Sequence, residues 1–231
     1  LSQMVRDNHY KAVYICNPNN PTGRIEKREK VLDIVKECED LGTMVFLDET
    51  LLGLSPEAAS TSLTKYVGKF SNLLIADSLT KSFAIPGMRI GFGLSSPEII
   101  SELEKVQLPW NLGTLEQAVA AYLMEYRMDY PDVVARELRA ESAYMHSRLD
   151  DIGFPVGPLS DSFFYFVSVE DLGLTGEEMK RLMLKGSVMI RDCASFGDRF
   201  RGYIRYCVKD RSRNARFMAA AESVMDELRG R

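Results

Sequence analysis

The chain has 231 residues, enough for one large domain or for one domain and part of a second. Its composition is 45% hydrophobic and 27% charged, with a net charge of −4, which argues against nucleic acid or a membrane surface as the main partner. The sequence contains no run of about 18 apolar residues, so no membrane-spanning helix is predicted. Four cysteines without CxxC spacing and only two histidines predict reduced thiols, a cytoplasmic location and no metal site.

Short β-favouring runs alternate with helical patterns through residues 1–130. Strands are predicted at 11–16, 44–48, 72–77 and 89–94. Their apolar residues do not alternate with polar ones, which is typical of parallel strands buried on both faces. Residues 1–130 therefore predict an α/β domain with a largely parallel sheet and helices on both faces.

The pattern changes after Trp110, and residues 131–231 predict a smaller α+β domain. Helices are predicted at about 114–128, 131–150, 176–185 and 210–228, and strands at 163–169, 188–191 and 202–208. The long helix at 131–150 leads into this second domain.

Polar side chains follow the predicted strands of the first domain, where ligands bind in parallel sheets. These side chains are Asn20 in the run NPNNPTG, Asp48, Ser78, Lys81 and Arg89. Each has an ordinary explanation alone, since a lysine is usually solvated and asparagine, proline and glycine form turns. Together they supply an amide, a carboxylate, a hydroxyl, a lysine and an arginine at one edge of the sheet.

These are the groups that a pyridoxal 5'-phosphate site requires. A lysine forms a Schiff base with the cofactor's aldehyde, and a carboxylate faces the ring nitrogen. An arginine and a hydroxyl suit the phosphate, because a guanidinium binds phosphate through paired charge-assisted hydrogen bonds.

The order of these motifs resembles the fold-type I pyridoxal-phosphate enzymes of the class I/II aminotransferase family, over essentially the whole chain. The motifs are NPNNPTG, a strand ending in Asp-Glu, then SLTK and a Pro-Gly-x-Arg turn. The resemblance implies that Lys81 forms the Schiff base, Asp48 faces the ring nitrogen and Asn20 donates to the phenolic oxygen. It implies that Ser78 and Arg89 bind the cofactor's phosphate.

Two further arginines are candidates for binding substrate. The segment Gly202-Tyr203-Ile204-Arg205 resembles the family segment whose arginine binds the substrate's α-carboxylate, which assigns that role to Arg205. Alternation along YIRYCV places Arg205 on the opposite face from Ile204. Arg191 is predicted either to bind a substrate phosphate or to form an ordinary salt bridge.

Three stretches, 107–118, 188–197 and 204–214, resemble the branch of L-threonine-O-3-phosphate decarboxylase and histidinol-phosphate aminotransferase. Both substrates carry a phosphate ester. Lys209 stands where the aminotransferases often carry glycine, and Leu51 stands where the family usually has a tyrosine. Both features favour the decarboxylase of cobalamin biosynthesis, while transamination in histidine biosynthesis remains the alternative.

The chain resembles the C-terminal portion of such an enzyme, because no phosphate-binding turn or ring-stacking aromatic residue precedes Tyr10. A fragment without activity of its own is therefore a further alternative. A nucleotide-binding dehydrogenase is discounted, since no strand is followed by GxGxxG. By resemblance we expect a homodimer and a small phosphorylated amino acid as substrate.

Overall fold

The computed structural model describes residues 1–230 and divides, by its internal contacts, into two compact units. The first unit comprises Leu1–Asn20 and Arg24–Ala135. The second comprises Pro21–Gly23 and the chain from Arg136 onward. The division falls inside one long helix, and a three-residue piece of the NPNNPTG loop groups with the second unit.

Strands and helices alternate along the first unit as far as residue 106, and in the second unit the alternation is broken only where the last two strands follow one another without an α-helix between them. The strands are β1 (Ala12–Cys16), β2 (Met44–Asp48), β3 (Leu73–Ser78), β4 (Gly91–Leu94), β5 (Phe164–Ser168), β6 (Arg191–Asp192) and β7 (Tyr203–Cys207). The α-helices of the described residues are α1 (Ser2–Asp7), α2 (Arg28–Asp40), α3 (Ala58–Thr61), α4 (Leu79–Ser82), α5 (Pro97–Val106), α6 (Thr114–Tyr126), α7 (Tyr130–Asp151), α8 (Gly176–Lys185) and α9 (Arg211–Arg229).

The first unit is built on a four-stranded sheet with the strand order β1-β2-β3-β4. Strands β1, β2 and β3 are parallel, and β4 is antiparallel to β3. The residues Val45, Leu47 and Ile75 are fully buried, as expected for inner strands. The predicted α/β class with a largely parallel sheet is confirmed. Cys16 and Asp48, the last residues of β1 and β2, lie beside Ala76 of β3, which continues to Ser78.

The second unit contains a three-stranded antiparallel sheet with the order β5-β7-β6. Helices α8 and α9 supply buried side chains to a core with Tyr165, Ile204 and Tyr206. The strand predicted at 188–191 is wrong in its position, since β6 covers only Arg191–Asp192. The reason is local, because the N–H of Val188 still bonds to the carbonyl of Met183 at the end of α8.

Within residues 1–230, no helix is both long enough and apolar enough to cross a bilayer.

Candidate active site

The carboxylate of Asp48 is held at the end of β2 by three hydrogen-bond donors. Its Oδ1 accepts from the N–H of Thr50 at 3.0 Å and from the Thr50 hydroxyl at 2.6 Å. Its Oδ2 accepts from the phenol of Tyr14 on β1. The side chain is half-buried, so its oxygens are fixed in direction while the carboxylate remains accessible.

Ser78 is the last residue of β3, and Lys81 lies on the short helix α4 that follows it. The Ser78 hydroxyl accepts from the N–H of Thr80 and so caps the start of α4. Lys81 lies in this single helical turn and its side chain is exposed. Helix α4 packs against the turn Leu52–Leu54, which directly follows the Asp48 segment. The fold therefore brings the predicted lysine and the predicted carboxylate into neighbouring elements.

A strained turn returns the chain from α4 to β4 and carries Arg89. Both Ala84 and Arg89 have left-handed backbone conformations, with φ of 54° and 51°. The carbonyl of Ile90 accepts from the Leu79 N–H at 3.2 Å and from the Ser78 hydroxyl at 3.0 Å. Arg89 is exposed and precedes this anchored carbonyl, so its position is fixed relative to Ser78 and α4.

A group of carboxylates surrounds the ends of β2 and β3. Glu49 is 2% exposed and accepts from the N–H of Leu63 and the hydroxyl of Ser62. Burial raises its pKa above the usual range. Burial, and to a lesser degree the charges of Glu49 and Asp48, raises the pKa of Asp77 to about 6. Acidic side chains are thus concentrated beside the half-buried Asp48 carboxylate.

The NPNNPTG loop continues from β1, with Asn20 exposed near its tip. The loop is held by Asn17, which is 2% exposed and exchanges two hydrogen bonds with the backbone of Glu26 at 3.0 and 2.8 Å. The N–H of Asn19 also bonds to the carbonyl of Arg24 at 2.8 Å. Sequence analysis missed the structural role of Asn17, whose signal was only its place in the same asparagine-rich run.

The donor set of the first unit fits pyridoxal phosphate. It offers an oriented carboxylate at Asp48, an exposed amine at Lys81, the Ser78 hydroxyl and the Arg89 guanidinium. Leu51 is half-buried and apolar, so the hydroxyl that the resemblance expects at this position is lacking. The predicted departure from the family pattern therefore stands.

In the second unit, the two predicted substrate arginines are direct neighbours. Arg191 of β6 and Arg205 of β7 are opposed Cα partners in the antiparallel ladder. Arg205 lies over the ring of Phe164 at 5.2 Å, and Arg191 lies over Phe196 at 4.8 Å. Burial alternates along β7: Ile204 is buried and Arg205 is half-buried, which confirms that their side chains lie on opposite faces of the strand.

Both arginines border a cavity of about 460 Å³ within this unit. Its basic lining residues are Arg191, Arg205, Lys209, Arg213 and Arg216. Among the described residues that line the cavity, none is acidic, although Arg213 pairs with Asp210 nearby at 2.8 Å. A cavity with this lining favours a ligand that carries more than one negative charge.

Comparison with protein families decides the classification. The family model described as aminotransferase class I and II matches residues 1–220. The chain belongs to this family. The members of this aminotransferase family use pyridoxal 5'-phosphate, and one solved structure similar to this chain is the Sinorhizobium meliloti histidinol-phosphate aminotransferase in complex with that cofactor. That structure matches with a TM-score of 0.79 at 20% identity, over 98% of this chain and 60% of the other, and so supports the fold.

Two other relatives connect this aminotransferase-family chain to the branch suggested by the sequence. A putative threonine-phosphate decarboxylase of Caldanaerobacter subterraneus subsp. tengcongensis is 29% identical over 91% of this chain. The histidinol-phosphate aminotransferase of Clostridium acetobutylicum has a TM-score of 0.87 and 26% identity over 97% of this chain. This chain spans 57% of the first relative and 66% of the second.

Proposed function

We propose that this chain provides the lysine-bearing part of a pyridoxal-phosphate enzyme that acts on a small phosphorylated amino acid. The observation that supports the proposal is that Asp48 ends β2, Ser78 ends the neighbouring strand β3, and Lys81 and Arg89 follow on α4 and on the turn before β4 in the same unit. When bound, the cofactor would supply an electron sink for the substrate carbon that bears the amino group.

Each residue has a role in this proposal that follows from its chemistry. Lys81 would hold the cofactor at its aldehyde carbon and, after the substrate's amino group has displaced it, its freed amine would move a proton at the substrate Cα. Asp48 faces the ring nitrogen, and Asn20 donates to the phenolic oxygen. Ser78 and Arg89 bind the cofactor's phosphate.

The basic cavity of the second unit supports a phosphorylated substrate. Arg205 binds the α-carboxylate and Arg191 binds the phosphate ester, because a guanidinium pairs with either group through two hydrogen bonds. Lys209, which lines the same cavity, adds a further cation for an anionic substrate.

The preferred reaction is decarboxylation of L-threonine O-3-phosphate, in cobalamin biosynthesis. Leu51 and Lys209 favour this choice, and the relative from Caldanaerobacter subterraneus subsp. tengcongensis carries the corresponding name. The second candidate is transamination of histidinol phosphate in histidine biosynthesis, favoured by the similarity to the Clostridium acetobutylicum enzyme. The proposal also includes a homodimer in the cytoplasm and two domains divided near residue 130.

The first experiment titrates the purified chain with pyridoxal phosphate and records its visible spectrum. The band of lysine-bound cofactor is expected in the wild type and in Lys65→Ala, which removes another exposed lysine of the first unit, and is expected to disappear in Lys81→Ala. No band in the wild type would mean that this chain alone does not assemble the site. A band that survives Lys81→Ala would remove Lys81 from the role.

The second experiment distinguishes the two reactions with the cofactor-loaded chain. Carbon dioxide release from O-phosphothreonine is expected, with no amino transfer from histidinol phosphate to 2-oxoglutarate. The opposite result would support the aminotransferase. If neither substrate reacts although the cofactor band is present, the proposed substrate class is wrong for this chain.

A further inference from the structure

Tyr14 approaches Asp48 diagonally across two parallel strands. In the register of β1 and β2, Tyr14 lies opposite Phe46, and Cys16 lies opposite Asp48. The ring of Tyr14 stacks on Phe46 with centroids 5.0 Å apart and planes 15° apart. This stacking aims the phenol along the strand toward the carboxylate, where it donates to Asp48 Oδ2.

The two oxygens of Asp48 therefore have different partners. Oδ1 is engaged twice by Thr50, two residues along its own chain, while Oδ2 is engaged by the neighbouring strand through Tyr14. A carboxylate oxygen accepts two hydrogen bonds, so Oδ2 keeps one acceptor site beside the phenol. Rotation of the carboxylate would break bonds at both ends.

We propose that Tyr14 is a positioning residue for Asp48, which fixes Oδ2 so that its remaining lone pair meets the N–H of the cofactor's pyridine ring. This inference rests on the proposed function, because it assigns the ring nitrogen to Asp48. The other acidic residues near Asp48 also favour a cationic N–H as its partner. The carboxyl groups of Glu49 and Asp77 lie close to Asp48, and a cationic N–H beside Asp48 would offset the negative charge of this acidic cluster.

The pKa of Tyr14 offers a test of its hydrogen bond to Asp48 that needs no cofactor. Burial, followed by the hydrogen bond to Asp48 and its charge, raises the pKa of Tyr14 above its usual range. In the chain without cofactor, the Tyr14 resonance of ring-labelled protein is expected to titrate at higher pH than free tyrosine. Replacement of Asp48 by asparagine is expected to return this pKa toward its ordinary value. An unchanged titration would show that the phenol is not bound to Asp48, and would overturn the proposal.

The deciding test is a double-mutant cycle on the affinity for pyridoxal phosphate. Tyr14→Phe keeps the stacked ring and removes only the hydroxyl. We expect it to raise the dissociation constant roughly three- to tenfold in the wild-type background, and to have no effect in the Asp48→Asn background. The absorption maximum of the bound cofactor is expected to shift in Tyr14→Phe alone.

The outcomes separate this inference from the proposed function. Equal weakening by Tyr14→Phe in both backgrounds, or none in either, would show a structural role only and overturn the inference while the proposed function stands. Absence of cofactor binding by the wild type would overturn the proposed function of this chain, and the inference with it. Tyr144→Phe serves as the matched control, since Tyr144 belongs to the second unit, and is expected to leave the dissociation constant unchanged.

Discussion

Arg191 on β6 and Arg205 on β7 lie directly opposite each other in the antiparallel ladder, so these two neighbouring strands carry guanidinium groups at facing positions. Like charges directly across a ladder repel each other and destabilise the pair. Here each arginine is supported by an aromatic ring, and Arg191 also donates to the Ser195 hydroxyl at 3.0 Å. Under the proposed function, an anion bound between the two guanidinium groups would reduce this repulsion.

Inorganic phosphate should therefore stabilise the chain beyond the effect of ionic strength. We expect its Tm to rise with phosphate at constant ionic strength, because a ligand that binds the folded state stabilises it. Arg205→Gln should lose most of this rise, and Arg181→Gln, at an exposed position of α8, should retain it. Thermal unfolding followed by circular dichroism measures both variants. An equal rise in Arg205→Gln would place phosphate elsewhere.

Lys209 is expected to contribute to the binding of a phosphorylated substrate without affecting the cofactor. Lys209→Ala should raise KM for the active phosphorylated substrate roughly three- to tenfold, about 1 kcal/mol, since it removes one cation from the cavity lining. The dissociation constant for pyridoxal phosphate should not change. Lys180→Ala, outside the cavity lining, is the control. A change in cofactor affinity with constant KM would contradict this role.

Asp77 predicts a pH dependence of stability with a definite sign. Its carboxyl has an ordinary pKa of 3.8 and a pKa of about 6 in the folded chain, so the folded state binds more protons between these values. Its contribution to the free energy of unfolding therefore falls as the pH rises from about 4 to 6. Asp77→Asn should remove this loss and stabilise the chain at pH 7 by on the order of 1–3 kcal/mol.

Urea unfolding of Asp77→Asn and the wild type at several pH values measures this difference. The two proteins should be nearly equal in stability near pH 4 and diverge up to about pH 6. Glu104→Gln, on the exposed helix α5, should follow the wild type throughout. A constant difference between Asp77→Asn and the wild type would show that Asp77 does not titrate in this range.

Two glycines of β4 form a matched pair for a packing test. A Cβ on Gly91 would lie 2.9 Å from the backbone oxygen of Asp77, whereas the nearest atom to a Cβ on Gly93 would be 3.5 Å away, on Leu74. Gly91→Ala should therefore destabilise the chain by about 1–3 kcal/mol, and Gly93→Ala by less than about 1 kcal/mol. Chemical denaturation gives both values. Equal effects would mean that β4 moves freely away from β3.

The parallel strands could be predicted because their apolar runs and turn residues are local signals. MVFLD at 44–48 coincides with β2, and the other two parallel strands agree within one residue at each end. The direction of β4 was not predictable, because it depends on the turn in which Ala84 and Arg89 adopt left-handed conformations. Alanine and arginine rarely adopt a positive φ, so neither residue predicts this conformation from the sequence.

The partner of Asp48 was missed for a related reason. The polar side chains predicted for the site all follow strand ends, whereas Tyr14 lies inside β1, where an aromatic residue is typical of any strand. Its role depends on the register that sets Cys16 opposite Asp48. The register between strands depends on the whole sheet, so the sequence around Tyr14 does not determine which residue lies opposite it.

The carbonyl of Ile90 accepts from three donors, the N–H of Leu79 and the hydroxyls of Ser78 and Thr80. A carbonyl needs fewer partners than this to be satisfied. The Ser78 hydroxyl can consequently leave Ile90 for another acceptor while the carbonyl stays bonded and the turn before β4 stays closed. The Ser78 hydroxyl is thus able to hold the turn in the unliganded chain and to bind a ligand when one is present. For the same reason, loss of either the Ser78 or the Thr80 hydroxyl by mutation should leave the turn closed.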